Sequence, residues 1–317
     1  MAGDEVKKLL CALSTAAFSM IMMSMLACTM GKASAVSGGS VSEVLPAPAD
    51  PQQYKRVAIL GVDGAGNFFS KTATPNMDDL FARGAVTYEA VTAIPTISAE
   101  CWGAMLLGVE AEKHGLTNEI ASSTAYDVNS AYPSIFRITR AAMPQAALAS
   151  FCNWEPINTG IIEENLGVRK FTGDSDAVIC DKILTYLDDN DPALLFVQFD
   201  EVDGTGHKYG YGSKLYLAKI SEIDALIGKV VAKYLEKGYA DDTLFIVSAD
   251  HGGNHWRGHF GKSKRERLIF VGCAGRTVKK GVIKDMRVWD IAAIAAAALG
   301  LEAPESWTGR VPKGIFW

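Results

Sequence analysis

The sequence carries no excess of positive charge. Of its 317 residues, 31 are Lys or Arg and 36 are Asp or Glu, a net charge of −5. Such a balance cannot neutralise a nucleic-acid backbone, so a general polyanion binder is excluded. The six Cys include no CxxC pair, which excludes the usual zinc ribbon. Proline is sparse at 11, and the 30 Gly show no collagenous bias. There is no internal repeat and no long insertion. Histidine is scarce too: there are five, so where they fall is informative. What is present is ordinary for a globular chain, 49% apolar and 21% charged, which rules out disorder throughout.

Lys7 and Lys8 precede an apolar run from Leu9 to Ala27, followed by small and polar residues from Cys28 to Ser42. That layout predicts an export signal over 1–35. Ala33-Ser34-Ala35 offers a cleavage site, and Met25-Leu26-Ala27-Cys28 a relaxed lipoprotein box that would lipidate Cys28. Both stay open, as does a retained anchor, because the run can just span a bilayer. Residues 36–53 are rich in Ser, Gly, Pro, Ala and Gln without an apolar period and read as a tether. Residues 54–317 are then expected to form one domain. The chain is expected to be periplasmic, extracellular or a cell-surface lipoprotein, reaching a membrane only through its signal or a lipid. In the globular part Cys101, Cys152, Cys180 and Cys273 could pair or remain buried thiols.

Three continuous apolar runs, Val57–Val62, Ala193–Phe199 and Leu244–Ala249, have the pattern of strands buried on both faces. Shorter candidates are Ala146–Cys152 and Leu268–Gly272. Helical spacing links Val178, Ile179, Ile183, Leu184 and Leu187. It also links Leu215, Ile220, Ile223, Ile227, Val230 and Tyr234, with Lys237 and Gly238 as the stop. The alternation predicts an α/β sandwich around a mostly parallel sheet. In such sheets ligands bind beyond the carboxyl ends of the strands. The three long runs end in Asp63, in Asp200 to Asp203, and in Asp250-His251.

Those ends hold most of the histidine. Asp203 and His207 stand four apart around two glycines, Asp250-His251 leaves a strand directly, and His259 follows eight residues later. A mixed carboxylate and imidazole set suits zinc, manganese or iron. Ser98 stands where a helix N-cap belongs, ahead of Trp102 and a Gly108 stop. It could merely cap that helix. It could also present a hydroxyl where the dipole favours alkoxide and phosphate, with a neighbouring metal lowering its pKa further.

In order, these residues resemble the alkaline phosphatase superfamily, in its type I phosphodiesterase/nucleotide pyrophosphatase branch. The resemblance rests on Val62-Asp63-Gly64, Thr74-Pro75-Asn76, Pro95-Thr96-x-Ser98, Gly108, His114-Gly115 with Asn118, Asp203-x-x-Gly206-His207, Asp250-His251-Gly252 and Gly258-x-Phe260 around His259. Trp289-Asp290-Ile291-Ala292, Leu299-Gly300 and Trp307-x-Gly309 extend it more loosely. It implies a three-layer sandwich, a central sheet flanked by helices, and two metal ions, usually zinc. Asp63, Ser98, Asp250 and His251 match one metal site, and Asp203, His207 and His259 the other. Ser98 also matches the nucleophile. The implied activity is hydrolysis of phosphodiester or nucleotide pyrophosphate bonds through a phosphoseryl intermediate, on a small-molecule phosphate ester or nucleotide.

Asn118 is the nearest match to an asparagine that contacts a phosphate oxygen, or else a turn residue. Trp102, with Phe68 and Phe69, could supply apolar surface for a second ester group, or else belong to the core. His114 reads as structural and His255 as a loop residue. Arg257 and Lys262, flanking His259, are candidate donors to a phosphate monoester. The alternatives are a phosphomonoesterase or sulfatase-like hydrolase of the same superfamily, and a non-catalytic exported metal- or phosphate-binding protein. The run from Ser98 to Trp102 lacks the Pro and Arg of a sulfatase signature.

Overall fold

The apolar runs form strands, and the computed structural model describes residues 54–317. The segments expected to be an export signal, 1–35, and a tether, 36–53, lie outside the described residues, as does Cys28. The strands are β1 (Arg56–Val62), β2 (Ala85–Val91), β3 (Ala147–Cys152), β4 (Val168–Thr172), β5 (Pro192–Phe199), β6 (Thr243–Ala249), β7 (Leu268–Ala274) and β8 (Gly281–Val282). They make one sheet in the order β4-β3-β5-β1-β6-β7-β2-β8. Only β7 runs against the others, since it pairs antiparallel with both β6 and β2. The sequence runs that were most uniformly apolar, β1, β5 and β6, lie side by side in its middle. There both faces are covered, so alternation has no purpose.

The helices are α1 (Pro75–Phe81), α2 (Ser98–Leu107), α3 (Ala111–His114), α4 (Asn118–Ser123), α5 (Ile135–Ala142), α6 (Asp176–Asp189), α7 (Glu201–Tyr209), α8 (Lys214–Glu236), α9 (Lys264–Arg267) and α10 (Asp290–Ala298). Neighbouring residues of a strand point to opposite faces. Ile59 is in register with Phe196, which meets Trp102 of α2 with ring centroids 5.7 Å apart. Ala58 is in register with Phe245, which meets Tyr234 of α8 at 5.3 Å. Helices therefore flank both faces. The close approach of α2 requires Gly61, because a Cβ there would lie 2.4 Å from the Trp102 ring.

Several helix N-termini are capped from a distance. Asp224 of α8 accepts from the backbone N–H groups of Asn76 and Met77, holding α1. Asp176 accepts from those of Asp200 and Glu201, holding α7, which has no side-chain cap of its own. These bonds satisfy donors that a helix start leaves unpaired. The described residues belong to one compact unit. Among them the four Cys are buried and free, and no helix is long and apolar enough to cross a membrane.

Candidate metal centre and nucleophile

Because β1, β5 and β6 are parallel and in register, Val62, Phe199 and Ala249 end at one edge. The next residues, Asp63, Asp200 and Asp250, are brought together there. Asp203 and His207 follow on α7, one helical turn apart, and His259 arrives on the loop after β6. Two groups result, each with ligand atoms within 4.8 Å of one another: Asp63, Asp250 and His251, and Asp203, His207 and His259. The His251 and His259 rings stack at 3.9 Å, so the groups adjoin. Ser98 Oγ lies 3.3 Å from His251 Nε2. All seven residues singled out in the sequence as ligands or nucleophile thus converge. Gly64 makes room for this: its φ is +64°, and a Cβ would lie 2.3 Å from Asp203 Oδ1.

The hydrogen bonds set the imidazoles' orientation. Nδ1 of His251 donates to Gly252 O at 3.0 Å, that of His207 to Arg257 O at 2.9 Å, and that of His259 to Thr96 O at 2.6 Å. A carbonyl only accepts, so each Nδ1 carries a proton and each Nε2 points inward, where a cation would displace any proton it holds and take its lone pair. The Nε2 atoms of His207 and His259 face one another at 3.1 Å. In the first group, His251 Nε2 lies 3.5 Å from Asp63 Oδ1 and 3.4 Å from Asp250 Oδ2. Those two carboxylate oxygens are buried without any hydrogen-bond partner. Acceptors facing acceptors in a buried site call for a cation, and the O/N donor set fits a divalent transition metal.

The electrostatics carry the same demand. Burial, then the neighbouring Asp250, Asp203 and Asp200, push Asp63 well above the usual carboxylate range. Burial does the same to Asp250, against the hydrogen bond it accepts from Gly64 N. His251 is held down at about 3, first by burial and then by His259. For Asp203, burial is outweighed by the hydrogen bond from His207 and by the other imidazoles, which hold it at about 2. His207, bonded to Asp203, is raised to about 9.

Ser98 does not cap α2. The helix starts at Ser98 with Ile97 as N-cap and no local side-chain cap. Asn118 Oδ1 accepts from Ala99 N at 2.9 Å instead, leaving the Ser98 hydroxyl beside His251. The Gly108 stop is as expected, with φ +65°. Asn118 is the exposed first residue of α4, its Nδ2 making no hydrogen bond within the described residues.

Trp102 is a correction. Expected to offer surface to an ester group, it is 0% exposed, and its Nε1 donates to Asp63 Oδ2 at 2.9 Å. Phe68 and Phe69 are buried as well. An aromatic on an otherwise apolar helix is drawn into the core, and its one polar atom then needs a partner. His114 is structural: Nε2 donates to Glu100 O and Nδ1 accepts from Leu116 N. His255 lies on an exposed loop. Arg257 and Lys262 are exposed, and among the described residues no Arg or Lys side chain bonds to any of the seven site residues; Arg257 reaches His207 only through its backbone carbonyl.

Sequence reasoning missed the supporting residues. Gln198 Nε2 donates to Asp63 Oδ2 at 3.0 Å and to Asp200 Oδ1 at 2.8 Å. Tyr211 donates its hydroxyl to Asp203 Oδ1 at 2.5 Å. Gln198 did leave a signal, as one polar residue within a buried strand. Tyr211 left none. A cavity of about 630 Å³ lined by Leu80, Arg83, Phe245 and Trp317 includes none of the site residues.

Comparison with known proteins supplies a context for this geometry. The type I phosphodiesterase / nucleotide pyrophosphatase family matches residues 57–266. Ectonucleotide pyrophosphatase/phosphodiesterase family member 7 of Rattus norvegicus is 22% identical over 237 residues, covering 66% of this chain and 53% of its own length. The chain thus spans about half the length of that relative. GPI ethanolamine phosphate transferase 1 of Gibberella zeae is 28% identical over 150 residues, 40% of this chain and 15% of that protein. Among solved structures, murine ectonucleotide pyrophosphatase / phosphodiesterase 5 superposes with a TM-score of 0.66 at 14% identity, over 81% of this chain and 97% of that one. An inactive form of that murine protein has been solved in complex with AMP.

Proposed function

Because the chain belongs to the type I phosphodiesterase / nucleotide pyrophosphatase family, we propose that it is a two-metal hydrolase of phosphodiester or nucleotide pyrophosphate bonds, with Ser98 as nucleophile. The observation that carries this reading is the inward set of three imidazole Nε2 atoms and two unpartnered carboxylate oxygens beside the Ser98 hydroxyl. Asp63, Asp250, His251 and Ser98 would hold one ion, and Asp203, His207 and His259 the other. Zinc suits these donors, and manganese or iron would also be accepted. When bound, the ions supply Lewis-acid charge that lowers the Ser98 pKa and offsets charge developing on the leaving oxygen.

The chain's own groups do the rest. Ser98 gives its proton to solvent and its Oγ attacks phosphorus in line with the leaving group, which leaves as an anion and takes a proton from solvent where its basicity requires one. The Oγ–P bond forms and the P–O bond to the leaving alcohol or phosphate breaks. Ser98 then carries the phosphoryl group with its remaining ester. Water attacks the same phosphorus, and Oγ departs with the proton restored. The start of α2 favours the anion through its dipole. Asn118, fixed by its bond to Ala99 N, has Nδ2 available for a phosphate oxygen. Trp102 and Gln198 hold Asp63, and Tyr211 holds Asp203, which orients the ligands.

A diester suits this site better than a monoester. A monoester brings an extra negative charge, which efficient monoesterases meet with further cationic donors. No Arg or Lys plays that part among the described residues. The test is kcat/KM for a chromogenic diester, its monoester and its sulfate ester, with metal content measured on the same sample. A clear monoester preference would overturn the substrate class. A metal-free, fully active sample would overturn the mechanism.

We read the two helix groups as the outer layers of a three-layer sandwich of the alkaline phosphatase kind. The N-terminal apolar run supports export, as a secreted protein or a lipoprotein, which would put the substrate outside the cytoplasm.

A further inference from the structure

Trp102, Phe68 and Phe69 are buried, so any apolar surface for the substrate has to come from another residue. Phe260 has the required position and no structural reason to be there. Its φ is +132°, a backbone conformation suited to glycine and costly for a residue with a Cβ. Gly258 and Gly261 lie within two residues of it. The residue is 63% exposed, so burial does little to offset that cost. The strain is imposed from the nucleophile segment: Phe260 N donates to Oγ1 of Thr96, which is fully buried and itself donates to Gly261 O. Thr96 is two residues from Ser98.

The ring is also aligned with the site. It stacks on His259 with centroids 4.8 Å apart and planes 18° apart, and His259 stacks on His251 at 3.9 Å. The Phe260 ring is thus the outermost member of a stack that leads to the imidazole beside Ser98. One face rests on His259, and the residue as a whole is open to solvent. Strain held without a stability return, at the rim of a reactive site, points to a ligand. The favoured partner of an open aromatic face is another flat ring.

We propose that Phe260 is a specificity-determining platform that stacks on an aromatic ring of the substrate, a nucleobase or an aryl ester group. This rests on the phosphoester reading above and narrows its substrate class. The test is binding of phenylphosphonate and methylphosphonate to the zinc-loaded protein, measured by calorimetry. The unsubstituted protein is expected to prefer the phenyl compound by about tenfold. Phe260→Gly should lose that preference while keeping its affinity for methylphosphonate, and its Tm should be unchanged or higher because the strain is relieved. Phe260→Asn, which tolerates positive φ, should lose the preference equally, and Phe260→Tyr should keep it. A preference that survives in the glycine and asparagine variants overturns the proposal. So does a lower Tm for Phe260→Gly, which would show that the ring supports the fold. If both phosphonates bind equally to the unsubstituted protein, this inference alone fails. If neither binds, the phosphoester reading fails with it.

Discussion

Replacing Trp102 by Phe separates the two roles of that side chain. The indole fills the space above Gly61, and its Nε1 donates to Asp63 Oδ2 at 2.9 Å in a fully buried contact. Phe keeps an aromatic ring but loses the donor, leaving Gln198 as the remaining partner of that oxygen. A hydrogen bond to a charged group contributes about 1.5–3 kcal/mol. Loss of such a supporting bond weakens metal binding by about 10–100-fold, or about 1.4–2.7 kcal/mol. The smaller ring also leaves a cavity, which costs stability with or without metal. The absolute Tm therefore mixes two effects, whereas the difference between zinc-loaded and chelated protein isolates one. At the same saturating zinc concentration that difference should shrink by about 1.4–2.7 kcal/mol. At about 2–4 °C per kcal/mol, the gap between the two melting curves narrows by about 3–11 °C. Calorimetric melts of both forms of both proteins make the comparison. If both Tm values fall together and the gap stays constant, Trp102 only packs, and its bond to Asp63 does not support a metal.

Ser98→Ala should lower diester turnover by about 10³-fold or more while zinc content by mass spectrometry stays the same. Gly64→Ala forces a Cβ against Asp203 at a φ of +64°. It should cost about 1–2 kcal/mol in denaturant melts and release metal from the Asp203, His207 and His259 group. His114 is held at about 4 by burial, below its usual 6.5. Between those values the unfolded chain takes up the proton and the folded one does not. Stability should thus fall as pH drops from 6.5 towards 4, by at most about 3 kcal/mol, and level off below that. Denaturant melts of His114→Asn across this range should show a flatter slope.

The centre of the sheet was legible because β1, β5 and β6 are buried on both faces and read as unbroken apolar runs. The outer strands were not. β4 carries the exposed Arg169 on an edge where charge deters further pairing, and β2 alternates buried and partly exposed residues. The metal-ligand candidates were legible because they follow strand ends and because few His compete for the role. Their supporting partners were mostly hidden: Tyr211 acts through a contact that no local spacing encodes, and Gln198 shows only as one polar residue in a buried strand. For Ser98 local sequence left a cap open beside the nucleophile, because a serine at a helix start is often a cap, and the structure gives that task to Asn118. Trp102 was misplaced for a related reason. Sequence proximity to the nucleophile says nothing about which face of α2 a side chain occupies.

The most direct test of the central claim is to trap the covalent intermediate. Zinc-loaded protein turning over a phosphodiester is quenched in acid and digested, and its peptides are weighed by mass spectrometry. The expected result is a transient mass increase on the peptide containing Ser98, equal to the phosphoryl group with its retained ester, and absent from Ser98→Ala. Full turnover with Ser98 unmodified at every quench time, or an adduct on another residue, would contradict it.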